Sequence, residues 1–277
     1  MIEKLLYFYR FIFCRNFFHR FNYHVHRIAL RGIGVLNSEG PQITGESYLL
    51  KKISENIPVK TIIDVGANTG GYAEELRIFF PKARIYAIEP HPETFKVLLA
   101  SAKKNKIFAY NQGFGNYVGK RDLWDFADDA KLKSTQPTST LASTLKEVVE
   151  NLHQQKAQAY AFKMNTLDNF AKKEKINEID FLKIDVEGAE ISVLLGAKKM
   201  LKNNKISFIQ FEFNEMNIYS RTLFKDFVSI LPKHIFYRIM PRGLYKLGPY
   251  RPSTHEIFAF QNILAIPEKY QKIIDKF

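Results

Sequence analysis

Two short segments carry most of the chemistry that can be read from this chain. In Asp64-Val65-Gly66-Ala67-Asn68-Thr69-Gly70-Gly71-Tyr72, an apolar run ends in glycines and passes into a helical pattern. Such a turn brings backbone N–H groups to a positively polarised helix start. Glycine lets a ligand approach the main chain closely. The second segment is Phe181-Leu182-Lys183-Ile184-Asp185-Val186-Glu187-Gly188-Ala189-Glu190. Asp185 stands at the carboxyl end of an apolar strand, where open α/β sheets bind ligands. Lys183 lies two residues earlier and shares its face. Glu187 lies just beyond, and Glu190 one turn further on.

The first segment departs from the dinucleotide fingerprint G-x-G-x-x-G at its second glycine, where Asn68 stands. A side chain there crowds a pyrophosphate and suits a ligand without one. The amino acid end of S-adenosylmethionine offers a carboxylate for the helix start. Its ammonium needs acceptors, such as Asp64 or nearby carbonyls. Glu89 ends the second strand, where a carboxylate can accept from both ribose hydroxyls. Asn111, in Asn111-Gln112-Gly113, can contact adenine or serve only its turn. The expected cofactor set is therefore Asp64, Gly66, Asn68, Gly70, Tyr72, Glu89, Asn111 and Asp185, around S-adenosylmethionine. An NAD-dependent oxidoreductase is disfavoured by Asn68.

These motifs, with Ile88-Glu89-Pro90, Thr166-Leu167-Asp168, Phe211-Glu212 and Asn262-Ile263-Leu264-Ala265, resemble the FkbM family of S-adenosylmethionine-dependent methyltransferases. The resemblance spans about residues 40 to 267, and Lys-Ile-Asp-Val-Glu-Gly-x-Glu is its most specific piece. It implies a class I methyltransferase, Rossmann-like fold: a seven-stranded, mostly parallel sheet whose last strand is antiparallel. It also implies O-methylation, commonly of sugar or secondary-metabolite hydroxyls. Family members often sit among genes for cell-surface polysaccharide or natural product assembly.

Methyl transfer from a sulfonium is an in-line displacement, so positioning supplies much of the acceleration. A sugar hydroxyl is a poor nucleophile, and a base adds typically about 10²–10⁴-fold. Asp185 or Glu187 can take the proton directly, which is the route we read first. Alternatively, Asp185 and Glu212, at neighbouring strand tips, can hold a divalent cation that lowers the hydroxyl pKa. Lys183 with Asp185 also fits a plain structural ion pair. His255, before the last strand, is a second candidate base if it faces the same rim. The Ser139-Thr140 and Ser143-Thr144 pairs can meet a polar acceptor or cap a helix.

The elements that must position these groups follow from periodicity. Thr61–Val65, Arg84–Ile88, Ile107–Tyr110, Phe181–Asp185 and Ile206–Phe213 read as strands, with further strands around 235–240 and 257–266. Helices are expected at Glu46–Asn56, Gly71–Phe80, Thr94–Lys104, Ala189–Leu201 and Tyr219–Leu231. The alternation implies parallel strands with right-handed crossovers. Between about 120 and 170 the rhythm breaks into an insertion, with a polar loop at Ser134–Thr140, a helix over Leu145–Gln158 and a strand over Ala159–Met164. The expected division is an extension at 1–45 and a methyltransferase domain at 46–277.

Residues 1–31 hold nine Phe or Tyr together with Lys4, Arg10, Arg15, Arg20, Arg27 and Arg31, and no single clean apolar stripe. They are read first as helix packed on the core or on another subunit, and second as a segment lying on a membrane surface. No run is long enough to span a bilayer, and no leader is recognisable, so the expected location is cytoplasmic, with the membrane's inner face as an option. One cysteine, Cys14, excludes an intrachain disulfide and a cysteine-based zinc site. The net charge of +13 points to anionic partners. An RNA or other nucleic-acid methyltransferase is a rival reading. Asp185-Val186-Glu187-Gly188, standing where amino-group base methylases carry Asn/Asp-Pro-Pro-Tyr/Phe, favours an oxygen acceptor instead. A silent cofactor-binding module is the other rival. The expected partner is a small-molecule or glycan acceptor, and homo-oligomers are compatible with the sequence.

Overall fold

The structure is a computed structural model that describes residues 2–127 and 142–277. The expected polar loop at 134–140, with Ser139-Thr140, lies outside the described residues. The centre is a sheet of strands β1 (Thr61–Val65), β2 (Arg84–Ile88), β3 (Phe108–Tyr110), β7 (Ile179–Ile184), β8 (Ile206–Phe213), β9 (His234–Met240), β10 (Gly243–Lys246) and β11 (Gln261–Pro267). Their order is β10-β9-β11-β8-β7-β1-β2-β3. The pairs β1–β2, β2–β3, β1–β7 and β7–β8 are parallel. The last strand, β11, is antiparallel to both β8 and β9. The sheet has eight strands where seven were expected. The additional one is β10, which folds back antiparallel on β9 through a short turn.

Every residue of β1 is buried, as a central strand of a parallel sheet requires. Alternate residues feed two cores. Ile62, Ile85, Phe181 and Phe208 meet Leu49, Leu50 and Ile53 of helix α4 (Glu46–Asn56), Ala73 and Leu76 of α5 (Gly71–Phe79), and Leu98 of α6 (Pro92–Asn105). Ile63, Leu182, Ile184 and Ile209 meet Leu167 and Phe170, Val193 and Leu194, and Phe224 and Phe227 on the opposite face. The expected helix over 189–201 is two, Glu190–Leu195 and Lys198–Lys202. The break falls at Gly196, where a Cβ would stand 2.0 Å from the Gly115 carbonyl oxygen. Asp168 then accepts from the N–H groups of Lys199 and Met200 at 2.8 and 3.0 Å, starting the second helix.

The insertion is a small sheet of its own, in the order β4-β6-β5. Its strands are β4 (Gly113–Phe114), β5 (Gly119–Phe126) and β6 (Ala157–Asn165). The helix expected over 145–158 shrinks to a short helical stretch around Val148–Leu152, because β6 begins at Ala157 and pairs antiparallel along all of β5. Helices α1 (Ile2–Phe13) and α2 (His19–Gly32) form as expected but bury no residue, so within the chain they do not pack on the core, the first of the two partners expected for them. Among the described residues no helix is long and apolar enough to cross a membrane.

Candidate active site

The β1 and β7 loops meet backbone to backbone. Gly66 has φ +85°, and a Cβ on it would stand 1.6 Å from the Asp185 carbonyl oxygen. Only glycine fits there. The Asp185 N–H in turn donates to the Val65 carbonyl at 2.9 Å. Gly66 and Ala67 donate to the Ile88 carbonyl, and Gly70 to that of Ala67. Asn68, with φ +49°, donates its N–H to Glu89 Oε2 at 2.9 Å. The loop thus spends most of its N–H groups internally, more than its glycines imply. The first turn of α5, from Gly71, is what stays free of partners within its helix. Glu89 Oε1 accepts from the His91 N–H at 2.7 Å. Burial nevertheless pushes the Glu89 carboxyl up to about 7, against those two hydrogen bonds. Asn68 Oδ1 is buried without a partner.

Register explains the second cluster. Asp64 of β1 sits opposite Lys183 of β7, and Lys183 opposite Gln210 of β8, so the three share one face of the sheet. Lys183 is buried and holds Asp185 Oδ2 at 2.8 Å and Glu46 Oε1 at 3.6 Å, with the Tyr72 ring 4.8 Å away. Tyr72 donates to Gln210 Oε1 at 2.8 Å, and Gln210 donates to Glu46 at 2.6 Å. Burial alone pulls Lys183 down, but Asp185, Glu46 and Glu212 more than offset it, and the ammonium is held well above its ordinary range. Burial raises Asp64 to about 7, with Lys183 opposing.

Beyond Asp185 the chain turns through Glu187, a non-glycine residue at φ +53°. Such a conformation is sparsely populated and persists only where the surroundings enforce it. Here Ser143 Oγ donates to the Glu187 carbonyl at 2.8 Å. Glu190 Oε1 accepts from the N–H groups of Val186 and Gly188, both at 3.2 Å. Glu187 Oε2 is buried and unpartnered. Burial, then the charges of Asp185 and Glu190, push its carboxyl well above the usual range. Glu212 is raised in the same way, by burial and then by Asp185.

A cavity of about 740 Å³, counting the space open to solvent, joins these loops. Gly66, Asn68, Glu89, Asp185 and Glu187 all line it. The insertion supplies Phe114, Leu123, Phe162 and Met164, an apolar wall, with Thr144 from the segment that follows β5.

The other expected residues are placed elsewhere. Asp64, Gly70, Tyr72 and Lys183 are not among the residues that line the cavity. Asn111 turns its amide back onto the carbonyls of Glu89 and Pro90, at 2.9 and 3.1 Å, so it shapes the β2 turn and does not line the cavity. His255 is not on the rim. It is buried in the short helix Pro252–His255, with its ring edge-on to Phe224 at 5.2 Å and Nδ1 engaged by Arg251 and Thr254. Glu212 occupies the β8 position next to Asp185 in register and accepts from Asn214 at 3.3 Å.

The sequence matches the model of the methyltransferase FkbM domain over residues 64–239. The chain belongs to the FkbM family. It is therefore an S-adenosylmethionine-dependent methyltransferase. Among curated relatives, the 2-O-methyltransferase NoeI of Sinorhizobium fredii is 23% identical over 193 residues, covering 68% of this chain and 77% of NoeI. AMB antimetabolite synthetase AmbE of Pseudomonas aeruginosa is 26% identical over 162 residues, 50% of this chain but 8% of AmbE. A solved O-methyltransferase from Bacillus cereus, in complex with SAH, gives a TM-score of 0.43 at 11% identity, with 97% of this chain and 100% of that one covered.

The FkbM donor fits the residues present. The orphaned Asn68 Oδ1 is a buried polar atom on the cavity wall, and Glu89 beside it has acceptor capacity left over. Reading the sequence missed two contributors. Glu46 opens an ordinary-looking helix, yet its carboxylate is tied to Lys183, Gln210 and Thr44. His91 approaches Asp125 of β5 at 3.3 Å, both fully buried, and so clips the insertion onto the Glu89 turn. Of the expected Ser143-Thr144 pair, Ser143 Oγ accepts from the Leu145 N–H at 3.1 Å, and Thr144 Oγ1 is buried at the cavity without a partner. A buried acid inside an amphipathic pattern gives no periodic signal, and contacts between distant segments give none at all.

Proposed function

We propose that this FkbM-family enzyme transfers a methyl group to a hydroxyl oxygen of a sugar, a cell-surface glycan or a secondary metabolite. The observation that carries this is the pair Asp185 and Glu187 on the same cavity as Asn68 and Glu89. The bound donor supplies an activated methyl on a sulfonium. What the chain must add is position and a place for the hydroxyl proton. Glu187 is the proton acceptor in this reading: its unpartnered Oε2 has a raised proton affinity, which makes it a stronger base than an ordinary carboxylate. Asp185, anchored through Oδ2 to Lys183, orients the hydroxyl. Thr144 offers a further hydrogen bond to a polar acceptor. The apolar wall from Phe114, Phe162 and Met164 keeps water from competing. Lys183 already gives Asp185 its positive partner, which favours the metal-free route. A cation shared with Glu212 would have to loosen that contact.

The 2-O-methyltransferase among the relatives supports an oxygen acceptor, and the antimetabolite synthetase keeps natural products among the candidate acceptors. The experiment is to incubate the purified protein and S-adenosylmethionine with a panel of glycans, hydroxylated metabolites and RNA, and to follow S-adenosylhomocysteine and locate the methyl by mass spectrometry. Oxygen methylation of a glycan or metabolite, reduced by Glu187→Gln and Asp185→Asn, is expected. Methylation of RNA nitrogen would overturn the proposal.

A further inference from the structure

The chain carries a surface that the methyl-transfer site does not use. Helices α1 and α2 are separated by a break at residues 14–18, and neither buries a residue. Restarting the helix at His19 produces a separation of side chains that the whole segment hides. On α2, Phe21, Val25 and Ile28 recur at helical spacing, and they are 50%, 40% and 70% exposed. Arg20, His24, Arg27 and Arg31 follow the same spacing on the adjoining face. Helix α1 adds exposed Leu5, Phe8 and Phe11, at 60% or more of their surface. Apolar patches of this kind mark contact sites.

The pair of helices is an ordered feature of the molecule. Phe13 packs on Phe18 and Phe21 at 4.9 and 5.8 Å, and Asn22 donates to the Phe13 carbonyl at 2.9 Å, closing the corner between α1 and α2. The far end of α2 is fixed to the catalytic sheet. Val35 is fully buried, Arg238 of β9 donates to the Ile33 carbonyl at 3.1 Å, and the Leu36 N–H donates to that of Phe260.

Charge decides the occupant. Residues 2–31 carry Lys4, Arg10, Arg15, Arg20, Arg27 and Arg31 against the single acid Glu3. Two copies meeting through this face would bring those cations together. An anionic bilayer pairs with them while its interface takes the aromatic and aliphatic side chains. We propose that α1 and α2 hold this enzyme on an anionic membrane surface, with the Phe21, Val25 and Ile28 stripe in the interface and Arg20 and Arg27 against the headgroups, Arg31 being paired with Glu39 at 2.9 Å.

The test is co-sedimentation of the full chain with phosphatidylcholine vesicles and with vesicles in which about a third of the lipid is phosphatidylglycerol. Binding to the second and not the first, released by salt, is expected. Arg20→Glu with Arg27→Glu should weaken it by roughly tenfold or more, and Phe21→Ser with Ile28→Ser should abolish it. Because none of these side chains lines the cofactor cavity, both variants should keep the wild-type affinity for S-adenosylmethionine in calorimetry, which shows that the catalytic domain is intact. No binding to the anionic vesicles, or binding unchanged by both variants, overturns the proposal. So does a stable dimer in sedimentation analysis that Phe21→Ser with Ile28→Ser dissociates, or binding to an RNA duplex in place of vesicles.

Discussion

In the proposed reaction Glu187 is the residue on which the chemistry turns. Its carboxyl holds its proton to higher pH than an ordinary glutamate, through burial and the neighbouring charges of Asp185 and Glu190. A base works only when deprotonated, so kcat should rise with pH along a limb above the usual carboxylate range. Asp185→Asn removes a like charge and should shift that limb to lower pH, while also slowing turnover; a pH–rate profile of both proteins checks this. In the proposed site Glu89 serves the donor. Its two backbone hydrogen bonds shape the loop that holds Asn68, so Glu89→Ala should weaken S-adenosylmethionine binding by roughly 2–4 kcal/mol in calorimetry. Gly66 is steric. Alanine there meets the Asp185 carbonyl and a positive φ together, so Gly66→Ala should cost roughly 3 kcal/mol or more and lower Tm markedly in a thermal melt.

At the scale of elements, the motifs turn out to be joints between segments. Asp168, in the first turn of the helix Leu167–Lys173, accepts from Lys199 and Met200 across 31 and 32 positions of chain. Asp168→Ala should cost about 1 kcal/mol, the usual value of a lost helix cap, and lower Tm by about 2–4 °C with cofactor affinity unchanged. The central strands were legible because buried parallel strands are continuous apolar runs: Thr61–Val65, Arg84–Ile88 and Ile206–Phe213 fold with the bounds their sequence predicts. Strand β5 was not legible. Gly119–Phe126 mixes Lys120, Arg121, Asp122 and Asp125 among its apolar residues, and its pairing with β6 depends on a partner more than thirty positions away. The site divided in the same way. Glycines and strand-tip carboxylates announce themselves by position, whereas the burial of His255 under Phe224 is a matter of tertiary packing.

The whole molecule concentrates buried acids at one end of its sheet. Asp64, Glu89 and Glu190 all rise from ordinary values of 3.8 or 4.5 to about 7. Between those limits the folded chain binds more protons than the unfolded one, so these groups lower stability as pH rises from about 4.5 to about 7. Thermal melts of the cofactor-free protein across that window should show a falling contribution from them, and Asp64→Asn should flatten the slope. A slope unchanged in Asp64→Asn would contradict the placement of that carboxyl. In the proposed reaction the same concentration of acids, with Lys183 at its centre, prepares the cavity for a proton leaving a hydroxyl. The most direct test of that claim is a comparison of Glu187→Gln with the wild type, measuring the dissociation constant for S-adenosylmethionine and the rate of S-adenosylhomocysteine release on a methylated hydroxyl acceptor. A cofactor affinity within about twofold of wild type, with turnover reduced by about 10²-fold or more, is the predicted result. Undiminished turnover in Glu187→Gln would contradict it.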